Sequence, residues 1–120
     1  MALPYSNIRR ACNTYFTAGH TATNPDTKII ADKITDQTRD CINSLIKTLE
    51  SEGLNISDVV KTTVFLADMD DFAAMNEVYS EMFQQPFPVR STVQAACLPK
   101  IAVNGPLLVE IDCVAYKESK

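Results

Sequence analysis

Two segments with the periodicity of amphipathic helices alternate with runs of strand-forming residues, and this order narrows the possible folds more than any other feature. In the first segment, residues 36–52, apolar side chains recur at helical spacing. Thr35 is a suitable N-cap for this helix, and Gly53 is a suitable stop. The helix is expected to bury one face, formed by Cys41, Ile42, Leu45, Ile46 and Leu49.

The second helical segment, residues 71–83, follows a cluster of acidic residues. Asp68, Asp70 and Asp71 offer side-chain oxygens to the first backbone N–H groups of a helix. The apolar face of the segment consists of Phe72, Met75, Tyr79, Met82 and Phe83. Such a stripe of methionine and aromatic residues predicts core packing rather than a cofactor site.

Four runs rich in β-branched and apolar residues are typical of strands, at residues 14–18, 59–66, 89–97 and 107–116. Asn104-Gly105 is a strong turn signal, so we expect the last two runs to pair antiparallel. The order strand, helix, strand, helix, strand, strand indicates an α+β domain with two helices on one face of a mixed sheet. The other face of that sheet needs cover from elsewhere.

Length and charge exclude several classes of protein. The 120 residues fit one domain, spanning 1–120, that is long enough to bury a core. The net charge is -4 and the 11 lysine and arginine residues are scattered, which argues against a nucleic-acid partner. The pair Arg9-Arg10 fits a loop or a strand edge. No run has the apolar length of a signal peptide or a membrane span, so we expect a cytoplasmic protein with no membrane partner.

The four cysteines, Cys12, Cys41, Cys97 and Cys113, lie far apart in the sequence. They form no Cys-x-x-Cys pair, and His20 is the only histidine that could join them, so neither a zinc site nor a disulfide framework is expected. Cys97 and Cys113 fall within apolar strand runs, where a reduced thiol behaves as a small buried side chain.

Side chains alternate between the two faces of a strand, and the last two runs each place polar residues on one face. In residues 89–97, that face carries Arg90 and Thr92. In residues 107–116, it carries Glu110 and Asp112, while the other face is apolar throughout. We expect both polar sets on the sheet face that the helices leave uncovered.

The sequence around these residues closely resembles the signature of the RidA/YjgF family, whose members are also called L-PSP endoribonucleases or translation inhibitors. The resemblance is carried first by the run Pro88-Val89-Arg90-Ser91-Thr92-Val93-Gln94-Ala95-Ala96-Cys97-Leu98-Pro99-Lys100 and by Val109-Glu110-Ile111-Asp112. It extends over nearly the whole chain through Pro4-Tyr5, Thr17-Ala18-Gly19, Val60-Lys61-Thr62-Thr63-Val64-Phe65-Leu66, Asp70-Asp71-Phe72 and Asn76-Glu77-Val78-Tyr79.

The resemblance implies a chorismate-mutase-like α+β fold assembled as a homotrimer, with a central barrel of sheets and ligand clefts between neighbouring subunits. It also implies a deaminase that hydrolyses 2-imino acids, such as 2-iminobutanoate and 2-iminopropanoate, to 2-oxo acids and ammonia without a metal or organic cofactor. By matching positions, the catalytic residues are Arg90 and Glu110, and the substrate-binding residues are Tyr5, Ala18, Gly19, Arg90 and Thr92.

The implied roles agree with the chemistry of these side chains. The planar, permanently charged guanidinium of Arg90 can hold a carboxylate through two parallel hydrogen bonds. Glu110 can orient a water toward the imine carbon and take its proton. Tyr5 is either a hydrogen-bond donor or an aromatic wall, and the sequence leaves both readings open.

Some positions depart from the commonest family pattern. Ala18 stands where serine is frequent, His20 where glutamine is usual, and Thr92 where cysteine is frequent. The segment 101–108 is longer than usual, which changes either the mouth of the cleft or only the surface. We assign His20 no catalytic role, and Asp112 is interpreted as an interface or surface acid.

Three alternatives compete with this interpretation. Without the family resemblance, Arg90 and Glu110 fit a structural ion pair between strands. A non-catalytic sensor of 2-oxo acids could use the same cleft, although a pure carboxylate binder gains little from the nearby charge of Glu110. A single-strand-specific endoribonuclease is disfavoured by the acidic charge and the lack of a basic, aromatic groove. Ser91 has the wrong strand parity to act beside Arg90.

Overall fold

A computed structural model of the chain describes residues 3–118. Its centre is a six-stranded mixed sheet. The strands are β1 (Ile8–Ala11), β2 (Thr14–Thr17), β3 (His20–Thr21), β4 (Val59–Leu66), β5 (Val89–Gln94) and β6 (Val109–Tyr116). The helices are α1 (Ile34–Glu50) and α2 (Phe72–Met82), and short 3₁₀ turns occupy Ile56–Asp58 and Met69–Asp71.

The order of the strands differs from the predicted one. The sheet runs β1-β2-β6-β4-β5, with β3 paired beside β2 along β6. β4 lies between β5 and β6, parallel to β5 and antiparallel to β6, so the predicted hairpin between the last two strands is wrong. β5 ends three residues earlier than the predicted run, and β6 begins two residues later.

The Asn104 side chain explains why the Asn-Gly pair does not form that hairpin. Its amide donates to the Ile30 carbonyl at 2.8 Å and its oxygen accepts from the Ile30 N–H at 2.9 Å. The residues between β5 and β6 are therefore fastened to the loop before α1, where Leu107 joins Ile30 in a small apolar cluster. The long 101–108 segment packs against that loop.

Both helices pack on one face of the sheet, as predicted. Cys41, Ile42, Leu45 and Leu49 of α1 are fully buried, and Ile46 packs against them. From α2, Met75 and Tyr79 enter the same core, whereas Phe72 stays 38% exposed. The buried parity of β6 consists of Val109, Ile111, Cys113 and Ala115.

The ends of α1 correct one prediction and agree with another. The helix begins at Ile34 with Lys33 in the N-cap position, so the prediction of Thr35 as N-cap is wrong. No side chain caps this end, and Thr38 instead donates to the Ile34 carbonyl within the helix. At the other end Gly53 has a φ of 74°, a left-handed conformation that favours glycine, which agrees with the predicted stop.

The β1–β2 hairpin and the two-residue strand β3 were not predicted. β1 is exposed over most of its length, so it lacks the apolar alternation that identifies a buried strand. Arg9 and Arg10 lie on it at the edge of the sheet. Cys12, with a φ of 55°, turns the chain into β2.

All four cysteine thiols are free. Cys41 and Cys113 are buried, and burial raises the pKa of Cys113 to about 11. Cys97 is exposed because β5 ends at Gln94, so the expectation of a buried thiol there is wrong.

Candidate active site

Arg90 projects from β5 toward the helices, at the edge of the sheet. It is the register partner of Thr62, which is fully buried beneath α2. The guanidinium carbon Cζ lies 4.7 Å from the centre of the Tyr79 ring and 5.6 Å from that of Phe72. Among residues 3–118, no carboxylate or other acceptor pairs with its N–H groups. The site therefore holds an arginine with free donors beside two aromatic faces.

A cleft of about 440 Å³ opens beside this arginine, and we call it the Arg90 cleft. It is lined by Asn76, Tyr79, Ser80, Phe87, Pro88 and Arg90. Two buried polar atoms near it, Asn76 Oδ1 and Thr92 Oγ1, have no hydrogen-bond partner within the described part of the chain. Such atoms are rare because an unpaired buried polar group is costly, and they make this cleft a candidate site for a polar ligand.

Asn76 was missed by the sequence interpretation. It lies four residues after Phe72 and three before Tyr79, so it shares their side of α2. A polar residue within an otherwise apolar helical stripe is the signal that could have identified it.

Glu110 lies on β6, on the sheet face that the helices leave open, and we call its surroundings the Glu110 half-site. A Cβ atom added at Gly19 would overlap the Glu110 carboxylate and would lie 2.7 Å from its Cδ. Glycine at position 19 therefore lets the chain between β2 and β3 pass close to the carboxylate, and a larger residue there would displace the Glu110 side chain.

Burial and a second carboxylate tune the acidity of Glu110. Desolvation raises the pKa of Glu110, and the charge of Asp112 raises it further. Desolvation also raises the pKa of Asp112, against the opposing effects of Lys61 and of hydrogen bonds from Thr63. The open face thus carries two carboxyl groups. Both causes of the pKa shift of Glu110 raise it, and neither is a cation.

Arg90 and Glu110 lie on opposite faces of the sheet. Thr62 pairs with both Arg90 and Cys113, so these three share the helix side, and Glu110 is three residues from Cys113. The usual spacing of strands, and of residues along a strand, places the Cα atoms of Arg90 and Glu110 roughly 14 Å apart. The expectation that both residues share the uncovered face is therefore wrong, and a structural ion pair between them within one chain is excluded.

The remaining predicted residues are divided in the same way. Thr92 shares the face of Arg90, whereas Ser91 points to the open face, as its parity predicts. The Ala18 N–H donates to the Asn7 carbonyl at 2.9 Å, next to Gly19. Tyr5 is 62% exposed.

His20 lies on the helix side of the sheet rather than in either half of the site. Its Nε2 lies 2.8 Å from Thr48 Oγ1, and its Nδ1 lies 2.8 Å from the Ala18 carbonyl oxygen. Burial lowers the pKa of the imidazole. These contacts give His20 a structural role.

Within 3–118, no group of three or more His, Cys, Asp or Glu side chains is arranged to hold a metal ion. In that part of the chain, no helix has both the length and the apolar character needed to cross a membrane.

Fold and candidate site define a class of small α+β proteins in which a mixed sheet, covered by helices on one face, carries candidate site residues on both faces. The family model described as Endoribonuclease L-PSP matches residues 1–117. The chain belongs to this family, which is the RidA/YjgF family that its sequence resembles.

Individual relatives agree with this assignment. A RutC family protein from Pyrococcus horikoshii is 43% identical over 96% of this chain and 88% of its own length. A 2-iminobutanoate/2-iminopropanoate deaminase from Dermatophagoides farinae is 38% identical over 96% and 87% of the two chains. The crystal structure of E. coli TdcF with bound serine has a TM-score of 0.86 and 31% identity, over 98% and 91% of the two chains.

Proposed function

We propose that this protein hydrolyses reactive 2-imino acids to 2-oxo acids and ammonia, in clefts between the subunits of a homotrimer. The observation that carries the proposal is the Arg90 guanidinium, which pairs with no acceptor in residues 3–118, near two buried polar atoms that have no partner in the same residues. The family supports it, because a relative of similar length is named as a deaminase of two such acids.

Arg90 binds the substrate carboxylate in this proposal. Its guanidinium offers N–H groups in a planar fork, which matches the two oxygens of a carboxylate. A hydrogen bond to a charged group is typically worth about 1.5–3 kcal/mol. Asn76 lines the cleft and Thr92 shares the face of Arg90, and in this proposal their buried oxygens, which have no partner within residues 3–118, contact the substrate.

Glu110 acts on the water in the same proposal. The carboxylate takes a proton as the water oxygen bonds to the imine carbon, and a proton is returned to the nitrogen. This addition gives a carbinolamine, which carries a hydroxyl and an amino group on the same carbon. The hydroxyl proton is then transferred to the amino group, the C–N bond breaks with its electron pair leaving on ammonia, and the carbonyl of the 2-oxo acid forms. A positioned acid–base group typically contributes about 10²–10⁴-fold to rate. No redox step is involved, because the substrate and the product are at the same oxidation level.

A neighbouring subunit is needed because the two half-sites face away from each other within one chain. The open face that carries Glu110 also exposes apolar side chains that a soluble monomer would leave in water. By register these are Phe16, Val89 and Val93, which are 47%, 67% and 43% exposed. Covering this face with another subunit buries them and can bring Glu110 toward the Arg90 cleft of the neighbour.

The protein is therefore expected to be a trimer in solution, with contacts that each bury more than about 1,000 Å² in total. Light scattering at micromolar concentration, run beside the imine assay, measures the mass of the active species. A stable and active monomer would contradict the arrangement.

The raised pKa of Glu110 predicts the acid side of the pH profile. Glu110 must be deprotonated to take a proton from water, so turnover should fall as the pH drops through a value above the ordinary glutamate pKa of about 4.3. Because Asp112 contributes to this rise, Asp112→Asn should move the fall in turnover to lower pH. The profile is measured on kcat after subtraction of spontaneous imine hydrolysis.

Asp26→Asn, in an exposed turn, is the matched control for that profile. It removes an equal charge away from β6 and should leave the acid limb in place. If Asp112→Asn also leaves the limb unchanged, the group that titrates is not Glu110.

A coupled assay tests the function itself. A threonine dehydratase generates 2-iminobutanoate, semicarbazide traps what remains, and the release of 2-oxobutanoate is compared with and without the protein. Acceleration that requires native protein supports the deaminase. Tight binding of 2-oxobutanoate without acceleration would indicate a sensor, and cleavage of single-stranded RNA without acceleration would indicate a ribonuclease.

A further inference from the structure

We propose that Tyr79 is a positioning residue for the proposed site: its ring holds the Arg90 guanidinium against its face and thereby orders it for carboxylate binding. This inference rests on the proposed role of Arg90. It assigns to α2 a function beyond core packing.

The position of the Tyr79 ring is fixed at both ends of the side chain. The Tyr79 hydroxyl and the Thr62 hydroxyl are hydrogen-bonded at 2.7 Å in a buried environment. The ring also stacks on Phe83, with centroids 4.2 Å apart and planes inclined by 20°. Tyr79 is only 5% exposed, so it has little freedom to rotate away.

Thr62 connects this ring to the strand that carries the arginine. Thr62 of β4 and Arg90 of β5 are register partners on the helix side of the sheet. The hydroxyl that binds Tyr79 therefore belongs to Thr62, the cross-strand neighbour of Arg90. This hydrogen bond holds the Tyr79 ring beside the Arg90 guanidinium. Cζ of Arg90 lies 4.7 Å from the Tyr79 centroid.

Phe72 extends the aromatic seat. It lies seven residues before Tyr79, two turns earlier on the same side of α2, and its centroid is 5.6 Å from Cζ of Arg90.

Burial raises the pKa of the Tyr79 phenol, and this rise is partly offset by the hydrogen bond with Thr62 and by the charge of Arg90. The phenol therefore stays protonated at neutral pH, and both rings act through their neutral π faces.

Aromatic seating suits an arginine that must bind an anion. A carboxylate partner within the chain would fix the guanidinium but would also occupy its N–H donors and neutralise its charge. A ring face attracts the cation without accepting a conventional hydrogen bond from it. The free N–H groups remain available, and less freedom is lost when the substrate binds.

Three substitutions separate seating from packing. Tyr79→Leu removes the ring, and affinity for 2-oxobutanoate should fall about tenfold, which is within the usual range for a partly desolvated cation–π contact. Tyr79→Phe keeps the ring and should retain affinity within about threefold of the wild type. Phe72→Leu removes the more distant ring and should weaken binding about threefold.

Tyr15→Leu is the matched control. Tyr15 is also a buried aromatic residue beneath an arginine, Arg10, with Cζ 5.6 Å from its centroid, but it lies in β2. The Tyr15→Leu variant should have a lower melting temperature and an unchanged affinity for 2-oxobutanoate. Affinity is measured by calorimetry on the assembled protein, and KM and kcat by the imine assay, in which Tyr79→Leu should raise KM more than it lowers kcat.

The outcomes are distinguishable. Wild-type affinity in Tyr79→Leu, or an equal loss in Tyr15→Leu, would overturn the inference. If Tyr79→Leu does not fold, Phe72→Leu decides the question, because Phe72 is 38% exposed and its loss is tolerated more easily. If Arg90→Lys itself binds 2-oxobutanoate normally, the proposed function fails. If only Tyr79→Leu and Phe72→Leu bind normally, the seat alone is wrong.

Discussion

Arg90→Lys is expected to lower kcat/KM for 2-iminobutanoate by roughly 10- to 150-fold, the equivalent of losing one hydrogen bond to a charged group. Lysine keeps the positive charge, but its ammonium cannot form the two parallel hydrogen bonds that fix the plane of a carboxylate. It also loses the planar surface that lies over the Tyr79 ring. The coupled assay measures this loss, and calorimetry with 2-oxobutanoate measures the accompanying loss of affinity.

Arg39→Lys is a matched control for this substitution. Arg39 forms an exposed ion pair with Glu81 at 3.3 Å, and an exposed pair of this kind contributes little to stability. This variant should behave like the wild type. Near-normal turnover in Arg90→Lys at ordinary substrate concentrations would show that Arg90 is structural.

Glu110→Gln is expected to lower turnover by about 10²–10⁴-fold, because an amide cannot take a proton from water. Affinity for 2-oxobutanoate should stay the same or rise slightly. The substrate carboxylate belongs to Arg90, and the substitution removes a second anion that repels it. Turnover in the imine assay and calorimetric affinity are measured on the same preparation.

Asp112→Asn tests whether loss of any negative charge from the open face has the same result. Asp112 lies two residues along β6 on the face of Glu110, and this variant should keep most of its turnover at neutral pH. If Glu110→Gln instead loses binding and retains turnover at saturating substrate, Glu110 is a binding or structural residue and the mechanism is wrong.

The helices and the long strands could be predicted because their hydrophobic periodicity reports burial directly. β4 was predicted at its observed bounds, and α1 to within two residues at each end. The pairing of β4 between β5 and β6 could not be predicted, because it depends on contacts between residues far apart in sequence. The hydrogen bonds between the Asn104 side chain and the Ile30 backbone are one example, since they place the Asn-Gly pair in a loop contact where the sequence predicts a hairpin turn.

The two halves of the site show a related limit. Alternation along one strand correctly placed Arg90 with Thr92 and Glu110 with Asp112. It could not show that the two sets face opposite ways, because the relation between strands is set by their register through β4. The family resemblance identified Arg90 and Glu110 as candidate site residues. Their position on opposite faces is visible only in the structure of the sheet.

The separation of Arg90 and Glu110 onto opposite faces has a genetic consequence if the clefts form between neighbours as proposed. Each cleft then takes its arginine from one chain and its glutamate from the next around a closed ring. A chain that is defective at one residue still presents an intact copy of the other to its neighbour. In a mixed trimer of Arg90 and Glu110 variants, one cleft always joins two intact halves. Two alleles that are each inactive alone could therefore complement each other when they are expressed together.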